Sequence, residues 1–256
     1  MANQVQLYQI PEKLEVARVL DDSILPAYTE SIQGFNERAR QTLGNFESID
    51  NQLAGSNPFM LVHLLNLVPG ERLAERPDLE KAVAYDPQFV AGNWVDFGIA
   101  LKTPGDSYRK NDLLAGTLAE QLKQRGISLG SGKLIPFKVL RNRQHDESAY
   151  GLVLDLNETA EAAHIRDLSE FRWDYTIGEG MARAYLYGDR VWYYDDVGLD
   201  ISGSSARVVV VSGEATEKNF YELSANLEAQ RTDLETKLGR IRRAQAILRG
   251  GFCKLN

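Results

Sequence analysis

Residues 214–249 read EATEKNFYELSANLEAQRTDLETKLGRIRRAQAILR, a stretch without proline. Apolar side chains recur in it at a strict seven-residue interval: Phe220, Leu227, Leu234, Ile241 and Leu248. This spacing is typical of one apolar face on a long amphipathic helix. Gly250 and Gly251 follow and supply residues that commonly end helices. We therefore predict a C-terminal helix roughly 54 Å long, which must pack along the rest of the protein or pair with another helix.

The second apolar position of the heptad is less regular. Leu223 is followed in the same phase by Gln230 and Lys237, which weakens a two-stranded seam. Leu238 and Ala244 widen the stripe instead. Two interpretations therefore stay open: the helix packs on the body of its own chain, or its five heptad residues form a coiled-coil interface with a second copy.

Charge is distributed unevenly along the chain. The formal net charge is −7, yet residues 236–256 contain six basic residues and no acidic ones, which leaves −13 on the rest. The predicted basic binding surface consists of Arg240, Arg242, Arg243 and Arg249. Its partner could be nucleic-acid phosphate or an acidic protein surface. The body would repel nucleic acid, so a second subunit or partner protein is the favoured expectation.

A second amphipathic stripe runs near the N-terminus. It begins at Pro26, a favoured first-turn residue, and its members are three or four residues apart: Leu25, Tyr28, Ile32, Phe35, Ala39, Leu43, Phe46, Ile49 and Leu53. We predict one long helix that ends at Gly55-Ser56-Asn57-Pro58. The predicted organisation is an N-terminal helical region over 1–56, a body over 57–212, and the helix with its basic end over 213–256.

The predicted body mixes helices and strands without regular alternation. Its predicted helices cover 57–68, 71–84 (interrupted by Pro77), 112–125 and 158–170. Its predicted strands are a half-buried one over 93–102, a hairpin of 133–140 with 149–156, and three or four antiparallel strands within 171–211. This order predicts the α+β class, with a mixed or antiparallel sheet body and long amphipathic helices near both termini.

No familiar catalytic motif occurs in this sequence with the required residues and spacing. Gly130-Ser131-Gly132-Lys133 lacks the remaining residues of a phosphate-binding P-loop and follows a predicted helix, so it indicates a tight turn. The three histidines, His63, His145 and His164, are far apart and lack zinc-ligand spacing, and no GxSxG motif occurs. We therefore expect no cofactor.

Carboxylates are the only groups numerous enough to carry chemistry. The β-rich segment contains Asp174, Glu179, Asp189, Asp195, Asp196 and Asp200. If a metal-dependent hydrolase or nuclease site exists, Asp195, Asp196 and Asp200 are its candidate ligands for Mg²⁺ or Mn²⁺. Turn formation is the ordinary role of such residues. Trp192-Tyr193-Tyr194 could stack on nucleic-acid bases, but packing within a sheet is the favoured interpretation.

The remaining features indicate a soluble cytoplasmic protein. Cys253 is the single cysteine, and no signal-peptide pattern opens the chain. The longest apolar run, 58–68, is too short for a membrane span. The leading hypothesis is a non-enzymatic structural or interaction protein that self-associates through long amphipathic helices. The alternatives are the metal-dependent hydrolase, using the Asp174–Asp200 carboxylates, and nucleic-acid binding by the basic helix.

Overall fold

A computed structural model of the protein describes residues 16–106, 109–188, 190–195, 198–212, 235–243 and 245. The chain divides into two units. The larger unit is Val16–Gly213, and the smaller one combines Met1–Glu15 with Glu214–Asn256. The first unit contains every named helix and strand below, so it is described first.

The described residues of the larger unit form five α-helices: α1 Leu25–Ser31, α2 Glu37–Leu43, α3 Pro58–Leu64, α4 Arg76–Tyr85 and α5 Asp112–Gln124. Its strands are β1 Val16–Val19, β2 Glu47–Ile49, β3 Gln52–Ala54, β4 Glu71–Leu73, β5 Trp94–Leu101, β6 Lys133–Ile135, β7 Leu140–Gln144, β8 Leu152–Leu156, β9 Arg166–Asp167, β10 Tyr175–Thr176, β11 Met181–Tyr187, β12 Val191–Asp195 and β13 Val209–Ser212. Short 3-10 turns cover Asp22–Ile24, Leu65–Leu67, Phe137–Val139, Ala162–His164 and Leu168–Glu170.

A six-stranded sheet forms the centre of this unit, in the order β10-β12-β11-β5-β6-β9. All neighbours pair antiparallel except β10 and β12, which are parallel. Strands β1, β13 and β4 form a second, antiparallel sheet, and β2-β3 and β7-β8 form two-stranded ones. The predicted α+β class with mixed and antiparallel sheets is confirmed.

Apolar side chains cover the six-stranded sheet on both faces. Ile99 and Leu101 of β5 belong to one core cluster, together with Leu118 of α5. Val95 and Phe97 of the same strand belong to another cluster. All eight residues of β5 are therefore buried, and the prediction of a half-buried strand here is wrong in that respect. Strict alternation would place Val95, Phe97, Ile99 and Leu101 on one face. The structure instead divides them between the two clusters, and the pairing of β5 with its neighbour β11 shifts register between Ala184 and Tyr185.

The predicted long N-terminal helix is wrong. Two short helices, α1 and α2, and the β2-β3 hairpin occupy its length. Asn36 starts a new helix because its Oδ1 accepts the N–H of Ala39 at 2.9 Å. Asp50 and Asn51, with φ of 54° and 60°, form the hairpin turn, since a two-residue turn of this kind needs left-handed residues. Most of the apolar stripe is nevertheless buried, including Tyr28, Ile32, Ala39, Leu43, Phe46 and Leu53.

Three other predictions change in the body. Residues 158–170 form two 3-10 turns and β9 rather than a helix. The hairpin pairs β7 with β8, whereas β6 joins β5 in the central sheet. Pro77 does not interrupt a helix but lies in the first turn of α4, which follows the strand β4. The predicted helices over 57–68 and 112–125 are confirmed as α3, with the 3-10 turn after it, and α5.

The predicted C-terminal helix lies mostly outside the described residues. Residues 235–243 and 245 are described, and they are helical. Of the predicted interface residues, Ile241 is among them, whereas Phe220, Leu227, Leu234 and Leu248 are not. The length of this helix stays a prediction.

A buried ion pair joins the two central strands of the sheet. Arg183 of β11 donates through Nε to Asp96 Oδ1 at 3.0 Å and through Nη2 to Asp96 Oδ2 at 2.5 Å. Both side chains are fully buried. The guanidinium also donates to the carbonyls of Ile201, at 2.6 Å, and Ser56, at 3.0 Å, while Ser56 Oγ donates to Asp96 Oδ2 at 2.7 Å. The ring of Trp94 lies 4.2 Å from the guanidinium carbon.

We expect Arg183→Met to lower the free energy of unfolding by about 3–5 kcal/mol, because it leaves the Asp96 carboxylate buried without its partner. Urea unfolding followed by circular dichroism measures the change. The control is Lys123→Gln, which removes an exposed cation 4.0 Å from Glu120 and should cost well under about 1 kcal/mol. The double variant Asp96→Leu, Arg183→Met should regain part of the loss. Equal effects in Arg183→Met and Lys123→Gln would contradict the structural role of the pair.

Candidate functional site

Two of the candidate metal-binding carboxylates have other partners. Asp174 Oδ2 accepts the backbone N–H of Trp192 at 2.9 Å, and Asp200 pairs with Lys110 Nζ at 2.6 Å. Asp195 ends β12, and its side chain lies outside the described residues, as do Asp189 and Asp196. Among the residues that are described, no group of three His, Cys, Asp or Glu side chains is placed to hold a metal ion.

The aromatic residues of β12 divide between the two faces of the sheet. Tyr194 is buried in a core cluster, and Trp192 packs against that cluster. Tyr193 faces the other way and stacks between Tyr175 and Tyr185, with ring centroids 4.8 and 5.0 Å apart and nearly parallel planes. The sequence shows the cluster but not this separation, since alternation alone does not reveal which face is covered.

The tyrosine stack offers little open ring surface. The rings of Tyr175, Tyr193 and Tyr185 lie on one another, so the inner faces are occupied by neighbouring rings. Tyr175 is the end of the stack and is 58% exposed. A series of bases would need several open faces. The stack therefore serves cross-strand packing better than base binding.

A small cavity with both polar and apolar residues in its lining lies beside the start of α4 and has a volume of about 70 Å³. Residues from several segments line it: Glu75, Arg76, Pro77, Phe97, Leu134, Pro136, Lys138, Ala163, His164, Arg166 and Phe171. Its charged members are Arg76, Lys138, Arg166 and Glu75. Each of these cations forms an ion pair with a carboxylate: Arg76 with Glu80, Lys138 with Glu75 and Arg166 with Glu170. This cavity is the candidate functional site, because polar groups from several segments converge on it.

The start of α4 is fixed by the carboxylate of Asp78. Its Oδ2 accepts the N–H of Glu75 at 2.8 Å, and both carboxylate oxygens contact Arg72, with bonds of 2.5 and 2.9 Å. An acidic residue in the first helical turn also suits the helix dipole. Burial by itself would raise the pKa of Asp78, but the hydrogen bonds from Arg72 and Glu75 outweigh it and hold the pKa below 3.8.

Arg76, the first residue of α4, is surrounded by aromatic rings. Its guanidinium carbon lies 4.4 Å from the centroids of Trp173 and Trp192 and 4.8 Å from that of Phe171. Nε donates to Glu80 Oε1 at 2.8 Å, and Nη2 donates to the carbonyl of Arg172 at 2.5 Å. Burial lowers the pKa of Arg76, whereas the hydrogen bond and charge of Glu80 raise it.

The third nitrogen of this guanidinium has no partner. Arg76 is only 3% exposed, and its Nη1 is buried without a hydrogen bond. Neither Glu80 nor Arg172, which hold the other two nitrogens, lines the cavity. Arg76 nevertheless belongs to the residues that line the cavity. A buried donor without a partner is costly, on the order of 1–3 kcal/mol, so Nη1 has hydrogen-bonding capacity that the protein itself does not use.

Two further buried polar atoms of the lining also lack a hydrogen-bond partner. Nδ1 of the half-buried His164 makes no hydrogen bond. Glu75 Oε1 lies 2.6 Å from Lys138 Nζ, which makes an ion pair, but the atoms lack the alignment of a hydrogen bond. Polar groups of at least three segments thus meet at the cavity with unused hydrogen-bonding capacity.

Sequence reasoning does not find this site. Arg76-Pro77-Asp78 reads as an ordinary helical first turn, and His164 falls within a segment wrongly predicted to be helical. The rings that surround Arg76 belong to Phe171, Trp173 and Trp192. They are distant in sequence, since Arg172, which lies between the first two, is 96 residues from Arg76. The acidic first turn near Asp78 was the only signal, and it indicates a helix start rather than a site.

The described part of the C-terminal helix presents both apolar and basic side chains to solvent. Leu238 is 46% exposed and Ile241 is 55% exposed. Arg240, Arg242 and Arg243 of the predicted basic surface are exposed as well, and Arg249 lies outside the described residues. The two predicted surfaces thus overlap on one short helical segment.

Comparison with known protein families, with curated proteins and with solved structures finds no significant match to this chain. None of the helices within the described ranges has the length and apolar character needed to cross a bilayer. The described residues show only the α+β class, with antiparallel and mixed sheets. Cytoplasmic localisation stays a prediction.

The carboxylate of Asp78 should stabilise the fold in a pH-dependent way. We expect Asp78→Asn to lower the free energy of unfolding by about 1–3 kcal/mol at neutral pH, since Arg72 and the N–H of Glu75 lose a charged acceptor. Because the folded-state pKa is depressed, this stabilisation is fully present above the unfolded pKa near 3.8 and is lost as the pH falls through the folded value. Wild type and variant should therefore converge in strong acid.

Urea unfolding at neutral pH and at a pH of about 2 measures this difference. Glu120→Gln is the matched control, because its exposed carboxylate is 4.0 Å from Lys123. It should change stability little at either pH. A constant difference between wild type and Asp78→Asn at both pH values would show that the charge of Asp78 is not responsible.

Proposed function

We propose that this protein is a non-enzymatic interaction protein that self-associates through its C-terminal helical segment, with a second copy of the chain as the partner. One observation carries the proposal. Leu238 and Ile241 are large apolar residues, and both are about half exposed on the described helix. A contiguous exposed apolar patch of several hundred Å² marks an interaction site, and we propose that these two residues are the described part of such a patch.

The positions of these two residues suit a helix–helix contact. Residues three apart lie on the same side of a helix, so Leu238 and Ile241 form one apolar patch. Ile241 also belongs to the seven-residue series of Phe220, Leu227, Leu234 and Leu248. Fully burying a leucine or isoleucine side chain contributes about 1.5–3 kcal/mol. A series of such residues on two copies would hold a dimer together.

Charge complementarity supports a second copy as the partner. Residues 214–235 contain six acidic and two basic residues, whereas residues 236–256 contain six basic and no acidic ones. Two copies of this segment in opposite directions bring the acidic part of one against the basic part of the other. Such an arrangement favours association and sets its direction.

The two alternative functions have less support. The metal-dependent hydrolase requires free carboxylates, yet Asp174 and Asp200 are engaged by a backbone N–H and by Lys110. Nucleic-acid binding is favoured by the exposure of Arg240, Arg242 and Arg243. It is opposed by the −13 charge on the other 235 residues. Self-association agrees with both the apolar patch and the charge pattern.

Introducing a charge into the apolar patch tests the proposal. We expect the full-length wild type to be a dimer or larger, and Leu238→Glu or Ile241→Glu to shift it to monomer, because burying an unpaired carboxylate is costly. Light scattering after size exclusion, or sedimentation equilibrium, measures the mass. Thr236→Glu adds the same charge at an exposed position on the opposite side of the helix and should leave the mass unchanged. A monomeric wild type at high concentration would refute self-association.

The same preparation separates the subunit interface from nucleic-acid binding. We expect Arg242→Ala, Arg243→Ala to weaken self-association, with no measurable affinity of wild type for duplex DNA near physiological salt. If arginines instead contact phosphates, DNA affinity should fall steeply with salt, and this variant should make the dependence shallower. Fluorescence anisotropy with labelled DNA measures the DNA affinity and its dependence on salt. Salt-dependent DNA binding by a monomeric wild type would favour the nucleic-acid alternative.

A further inference from the structure

The cavity beside α4 holds hydrogen-bonding groups that the protein itself leaves unused. Arg76 Nη1 and His164 Nδ1 are buried without a partner, and Lys138 and Arg166 line the same space. We propose that this cavity binds a phosphate group, either inorganic phosphate or the phosphate of a small metabolite-sized ester. This site lies in the larger unit and is independent of the proposed self-association.

Three cations line the cavity: Arg76, Lys138 and Arg166. Each forms an ion pair with a carboxylate, that of Glu80, Glu75 and Glu170 respectively, and of these carboxylates only Glu75 belongs to the lining. A phosphate accepts charge-assisted hydrogen bonds through several oxygens, so it can contact these cations while their carboxylate partners stay in place.

Arg76 is suited to bind an oxyanion without rearrangement. Its guanidinium is held by Glu80, by the carbonyl of Arg172 and by three aromatic rings, so its orientation is set before any ligand arrives. A preorganised donor loses little conformational entropy on binding. Charge-assisted hydrogen bonds to an oxyanion are also roughly twice as strong as neutral ones. The ligand would provide the acceptor that Nη1 lacks.

Phosphate fits the cavity better than water or a carboxylate. The volume of about 70 Å³ accommodates several waters or one small anion. Water would satisfy the buried donors only through neutral acceptors, whose hydrogen bonds are about half as strong as those of a charged oxyanion. A carboxylate has two oxygens and one negative charge, whereas the wall offers donors from four residues. A tetrahedral oxyanion has enough oxygens to accept from Arg76, Lys138, His164 and Arg166 together.

Calorimetric titration at constant ionic strength tests the assignment. The full chain is titrated with inorganic phosphate and with glycerol phosphate, while acetate and chloride serve as comparison anions. We expect saturable binding of one phosphate per chain, a rise in melting temperature with phosphate concentration, and clearly weaker binding of acetate. Preference for the ester over inorganic phosphate would identify a phosphorylated small molecule as the ligand, and the reverse preference would identify free phosphate.

Variants of the wall locate the binding. Lys138→Met and His164→Ala each remove one lining donor and should weaken phosphate binding about tenfold or more. Lys123→Met is the matched control, since its side chain is 81% exposed and lies outside the lining, and it should not change the affinity. Arg76→Lys keeps the charge but removes the planar fork, and it should abolish binding if the variant folds. If it does not fold, the other two variants decide the result.

Three outcomes would overturn the proposal. The first is a wild type with no heat of binding and no gain in melting temperature in millimolar phosphate relative to chloride. The second is an equal loss of affinity in Lys138→Met, His164→Ala and Lys123→Met, which would indicate a general charge effect. The third is acetate binding as tightly as phosphate. None of these results depends on the oligomeric state of the chain.

Discussion

The larger unit depends on the buried contact between Arg183 and Asp96. Two opposite charges without access to water are tolerated only when hydrogen bonds satisfy both. Here the partners come from four places in the chain: Asp96 on β5, Arg183 on β11, the carbonyl of Ile201, and Ser56 before α3. All four segments must be in place in the folded protein, because the absence of any one of them would leave a buried charge or donor without its partner. The contact therefore couples the central strands to two loops.

A second buried arginine shows how a similar environment can produce a different role. Arg183 makes four hydrogen bonds, two of them to a carboxylate. Arg76 is surrounded by aromatic rings, and its Nη1 lacks any partner. Both side chains are nearly inaccessible to solvent. The two arginines differ in their hydrogen bonds. Arg183 has all its nitrogens hydrogen-bonded and stabilises the fold, whereas Arg76 has one nitrogen without a partner and lines a cavity with other unpaired polar atoms.

The two proposals for this protein rest on separate parts of the chain and on different physics. Self-association follows from apolar exposure and charge pattern near Leu238 and Ile241 in the smaller unit. Phosphate binding follows from unsatisfied polar atoms and from the three cations that line one cavity in the larger unit. Either can hold without the other. An interaction protein with a small-anion site in its folded body would be consistent with both.

The sequence by itself determined the features whose causes are local. Asn57 and Pro58 start α3, Gly126 follows α5, and the α+β class follows from the order of patterns. The sequence also identified most of the buried residues near the N-terminus, although the stripe was mistaken for one helix. The breaks come at Asn36 and at Asp50-Asn51, which are residue types that cap helices and form turns, but the apolar periodicity continues across them. Apolar periodicity indicates which side chains are buried, but it does not show whether a single helix continues through all of them.

Only the tertiary structure decided which polar residues meet. Arg183 and Asp96 are 87 residues apart, and Arg76 and the carbonyl of Arg172 are 96 apart. The burial of both faces of β5, the short strand β9 and the opposite orientations of Tyr193 and Tyr194 are equally non-local. Helix and strand propensity, helix capping and apolar periodicity depend on residues that are close together in the sequence. Long-range contacts instead depend on how the sheet and its covering elements pack, and no spacing rule in a single sequence encodes that arrangement.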